Sequence, residues 1–81
     1  MSTLTPTRCC EALFASDLQS SEHPAPTQVR ATIQHTLDTL GEQRCVELMA
    51  QEYGDHPDTA PARMRWVRSV VSQAYPLEVA A

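Results

Sequence analysis

The sequence predicts an all-α fold, a compact bundle of about four helices in one domain covering residues 1–81. Three observations predict it. Apolar residues recur at three- and four-residue spacing in the long segments, and no segment shows the strict alternation of a strand. Proline and glycine fall at the joints between those segments, at Pro24, Pro26, Gly41, Gly54 and Pro57. Finally, 81 residues leave room for one core and no second layer, since a chain this small buries only about 60% of its unfolded surface.

The first helix is expected over about 6–17. Thr5 is placed to cap it and Pro6 to occupy its first position. Cys10, Leu13 and Phe14 form its apolar stripe. The stretch QSSEHPAP, residues 19–26, reads as a loop. The second helix is expected over about 26–40, with Val29, Ile33, Leu37 and Leu40 on one face and Gly41 ending it in a left-handed conformation. The third is expected over about 42–53, with Cys45, Leu48, Met49 and Tyr53 inward and Gly54 ending it by the same logic. The fourth is expected over about 58–74. Asp58 would cap it, Pro61 is tolerated in its first turn, and Pro76 would stop it. Met64, Val67, Val70, Val71 and Ala74 make its stripe, with Trp66 at the edge. Residues 1–5 and 77–81 are expected to fray.

Two charges fall on apolar arcs. At about 100° per residue, Asp17 projects between Leu13 and Phe14, and Arg63 between Val67 and Val70. Buried charge without a partner is costly, so Arg63 is expected to pair with an acid from another element, Asp17 or Asp55 first. The alternative is that both charges lie at helix ends and reach water.

Charge and composition narrow the function. The net charge is −4, and the chain contains no lysine and no asparagine. Residues 1–58 hold Arg8, Arg30 and Arg44 against nine acids, while residues 59–81 hold Arg63, Arg65 and Arg68 against Glu78. A dedicated nucleic-acid binder is usually strongly basic, and only the last segment here is. No apolar run approaches the roughly 18 residues of a membrane span, and the N-terminus lacks a signal peptide's pattern. The expectation is a cytoplasmic protein with its three cysteines reduced. No glycine-rich phosphate loop and no G-x-S-x-G elbow is present, so neither catalysis nor a cofactor is expected. Cys9, Cys10, Cys45, His23, His35 and His56 offer ligand chemistry for a second alternative, a small metal-binding protein. Their spacing matches no zinc pattern, and Cys10 and Cys45 read as core.

The segment CVELMAQEYGDHPDTAPARMRW resembles the helix-turn-helix family of DNA-binding proteins over about residues 46–64. Ala50 precedes Gly54 by four, as the family's small residue precedes its turn glycine. The resemblance implies a recognition helix led by His56, Asp58, Thr59 and Ala62, with Arg65 and Arg68 on phosphates. The segment departs from the family at Asp55 and Arg63, where apolar residues are usual, and at Pro61. The stretches RCCEALFASDLQ, HPAPTQVRATI and MAQEYGDHPDTAPARMRWV also resemble short uncharacterised helical proteins of actinobacteria. That group implies no activity and transfers no residue.

The leading expectation is a non-catalytic regulatory or protein-interaction module that pairs with itself as a homodimer or with another protein. Trp, Tyr and Arg are enriched in binding hot spots, which selects Trp66, Arg65, Arg68 and Tyr75. DNA binding through His56, Thr59, Arg65 and Arg68 is the alternative.

Overall fold

The computed structural model describes residues 5–75. Helix α1 is Pro6–Ala15, α2 is Pro26–Leu40, α3 is Glu42–Asp55 and α4 is Ala60–Ala74, with a 3₁₀ turn at Ser20–Glu22. Among the described residues there is no strand. The expectations for 1–4, Pro76 and 77–81 lie outside the described residues.

Thr5 caps α1 as its chemistry demands: the Arg8 backbone N–H donates to Thr5 Oγ1 at 3.2 Å. The helix ends two residues earlier than the spacing suggested. Ser16 is extended, and both its N–H and its hydroxyl donate to the Leu13 carbonyl, the latter at 2.6 Å. The chain therefore leaves the helical path at Ser16. Asp17 never reaches the apolar arc and is exposed, while Leu18 turns in and is buried. Within the expected loop, the Ser20–Glu22 turn is held by the Gln19 N–H, which donates to Glu22 Oε2 at 2.9 Å.

Helix α2 has the expected bounds, but its buried face is Val29, Ile33 and Thr36. Leu37 is only partly buried, and Leu40 is 40% exposed on an open groove shared with Leu18 and Leu48. Thr36 is tolerated inside because its hydroxyl donates to the Thr32 carbonyl at 2.7 Å. Gly41 joins α2 directly to α3 at φ 82°, ψ 163°. The positive φ was expected, but the ψ is not the left-handed helical one. This extended region is essentially open only to glycine.

Gly54 does not end α3. It lies within the helix, which runs on to Asp55, and the corner is 56–59. Proline disfavours helical geometry in the residue before it. His56 precedes Pro57 and leaves the helix at φ −133°, ψ 62°. Nor does Asp58 cap α4. The N-cap is Thr59, without a side-chain bond, and the His56 carbonyl accepts from the Thr59 and Ala60 N–H groups. Pro61 lies in the first turn, where it removes no helical bond.

Helix α1 is the hub and packs against α2, α3 and α4, whereas α3 and α4 barely touch beyond their corner. Cys9, Leu13, Val29, Ile33, Cys45, Val67 and Val71 are fully buried. Cys9 rather than Cys10 is the core cysteine of α1, and Cys10 is half-buried beside it. Arginines tie the helix ends. Arg8 pairs with Glu42 at 2.8 Å, and Arg30 donates to the Ala74 carbonyl at 2.9 Å.

Candidate protein-interaction groove

An α-helix leaves its last carbonyls without helical partners. Helix α1 ends without glycine and without a basic residue in its last turn, so beyond the Ser16 bonds to Leu13 its own sequence supplies no cap. Arg63 reaches across from α4 and supplies one. Its Nε donates to the Phe14 carbonyl (3.2 Å) and its Nη1 to Leu18 (2.9 Å). Its Nη2 donates to Leu13, Phe14 and Ser16 at 3.0–3.2 Å. The guanidinium also lies 5.5 Å from the Phe14 ring centroid and 5.6 Å from that of Trp66. Phe14 in turn stacks on Tyr53 at 5.6 Å.

The expected ion pair is thereby corrected. Arg63 bonds to carbonyls and not to Asp17 or Asp55, both of which are exposed. Among the described residues the ion pairs are Arg8–Glu42 and Arg44–Glu47. The physical reason is that the negative end of the α1 dipole concentrates several carbonyls where a planar fork can reach them together. Burial pulls the Arg63 pKa below its ordinary value, while the more distant Glu52 and Asp17 carboxylates oppose that shift. Arginine keeps its charge regardless.

Beside this cap runs an open groove of about 600 Å³. Leu48 and Trp66 are the partly exposed apolar residues of its lining, and Gln19, Gln51, Glu52, Asp55 and Thr59 are among its polar ones. Three helix termini open onto it: the ends of α1 and α3 and the start of α4.

The structure does not gather the expected contact residues. Trp66 is half-buried on this groove. Arg68 lines a different groove of about 390 Å³, with Cys10, Met49, Met64 and Val71. Arg65 is exposed and lines neither, and Tyr75 caps the far end of α4 and packs on the core. His56 and Thr59 are exposed at the corner. Sequence reasoning missed Phe14, Glu52 and the capping role of Arg63. The signal for the last was a helix end with neither glycine nor a basic residue and an arginine on an apolar arc.

The thiols of Cys10 and Cys45 are shifted. Burial pushes the Cys10 pKa up against the pull of Arg68, with Glu11 adding to the rise. Burial, Glu11 and Glu42 all push that of Cys45 up. Among the described residues, no three His, Cys, Asp or Glu side chains come together as a metal site, and no helix is long and apolar enough to cross a membrane. Comparison with family models, with curated proteins and with solved structures finds no match to this chain.

Proposed function

We propose that this chain is a small, non-catalytic regulatory or protein-interaction module whose working surface is the groove beside Arg63. One observation carries the reading. Five bonds hold the Arg63 guanidinium on the end of α1, and its contacts with the buried Phe14 ring and the half-buried Trp66 ring back Trp66 from beneath, so the aromatic face on the groove is supported before any partner arrives. Preorganised aromatic surface lowers the ordering cost of binding. The partner is a second copy of the chain or another protein, and the compartment is the cytoplasm.

The test is photo-crosslinking in the cells that make the protein. A photoreactive residue at Thr59 should give one discrete adduct, lost in Trp66→Ala, and the same residue at Arg44 should give none. Equal adducts at both positions, or none at either, would remove the reading.

The exposure of His56, Thr59, Arg65 and Arg68 favours a second reading, contact with DNA. Fluorescence anisotropy with a random duplex checks it. Phosphate contacts give binding at low salt that fades as salt rises, whereas no binding at low salt ends this reading.

A further inference from the structure

A carboxylate at a helix C-terminus faces the negative end of the helix dipole and works against the fold. Helix α3 keeps two, Glu52 and Asp55, in its last turn with no basic residue to balance them. Both line the groove. The end of α1 opens there too, again without a basic residue in its last turn. The start of α4 and the Arg63 guanidinium oppose them. With about half a charge per helix end, the balance over these groups is roughly one and a half negative charges. Arg63 spends Nε, Nη2 and one N–H of Nη1 on carbonyls, so little of its fork is left for an anion. The groove is thus apolar along Leu48 and Trp66 and negative along Glu52 and Asp55.

The geometry points to a cationic amphipathic helix of a partner protein as the occupant, an inference that rests on the interaction reading above. Its apolar face lies on Leu48 and Trp66, above the buried Phe14 ring, and its lysines or arginines lie beside Glu52 and Asp55. A second copy of this chain fits less well. It brings a net charge of −4, and four of its arginines are engaged internally: Arg8, Arg30, Arg44 and Arg63.

The test uses the full chain and two synthetic helices of one pattern, leucine with lysine and leucine with glutamate. Trp66 is the single tryptophan, so its emission reports on this groove directly. The lysine peptide should shift that emission saturably, with an affinity that falls as salt rises. Glu52→Gln with Asp55→Asn should weaken it about fivefold to tenfold. The same charge change at exposed Asp38 and Glu47 should weaken it less than about twofold. Urea unfolding of the same variant separates a binding cost from a folding defect: removing two carboxylates relieves the end of α3 while the loss of Glu52 weakens its attraction to Arg63, so the midpoint should move little.

Equal weakening by the control pair would mean general attraction to an acidic protein and would overturn the inference. Equal binding of the glutamate peptide, or binding that leaves Trp66 unmoved, would do the same. A Thr59 adduct with an anionic partner would sink this inference and leave the interaction reading standing. No adduct at all would sink both.

Discussion

Replacing Arg63 by lysine keeps the charge and removes the fork. Arginine here serves the carbonyls of Leu13, Phe14, Ser16 and Leu18 at once. A single ammonium reaches about two of them, so two carbonyls lose their donor. A hydrogen bond to a charged group is worth about 1.5–3 kcal/mol, and half-exposure reduces that to about 1 kcal/mol each. Losing the flat face over Phe14 and Trp66 costs about 0.5 kcal/mol more. The expected total is about 2–3 kcal/mol, a large share of the roughly 4–12 kcal/mol available to a domain this size. Urea unfolding followed by far-ultraviolet circular dichroism measures it, and the melting temperature should fall by about 10–20 °C. Arg63→Met should cost more, since no donor remains. A lysine variant within about 0.5 kcal/mol of wild type would mean that water satisfies the end of α1 and that the fork does not hold α1 to α4.

The two glycines should respond with opposite signs. Gly41→Ala meets no atom within 4 Å but strains the backbone at φ 82°, so urea titration should show a loss of about 1–3 kcal/mol. Gly54→Ala also meets open space and lies in an ordinary helix, so the same titration should show a gain of up to about 1 kcal/mol. Ile33→Ala empties a site with 0% exposure and should cost about 2–5 kcal/mol by calorimetry. Below the ordinary thiol range of about 8.5, folded and unfolded thiols both keep their protons. Burial raises the Cys45 pKa, so as pH climbs through that range the unfolded thiolate forms first and stability falls. Urea midpoints taken across this range should decline less steeply in Cys45→Ala than in wild type, and equal slopes would refute the cause.

The helices were legible because each carries its own periodicity, and α2 matched at both ends. What failed were inferences that ran past a helix end. The wheel that put Asp17 on an apolar arc assumed a turn that Ser16 breaks by bonding back to Leu13. Leu40 kept the period where no neighbour covers it. Gly41 and Gly54 look alike in sequence, yet only the first is followed at once by another helix. At the second corner, Pro57 rather than the glycine decides where α3 stops. The candidate groove was half legible. Trp66 stood out by its chemistry, and Arg63 by its misplaced charge. The acceptors of Arg63 lie 45–50 positions away in the chain, a distance that local pattern cannot bridge.

That distance has a consequence for the chain during synthesis. Helix α1 is made before α4, yet its capping residue is Arg63, and the α4 side chains of the shared core extend to Ala74. Contacts this remote cannot reward the ordering of α1 until the intervening chain exists. A growing chain therefore holds α1 without its Arg63 cap until α4 has been made, although the contacts of α1 with α2 and α3 can form earlier.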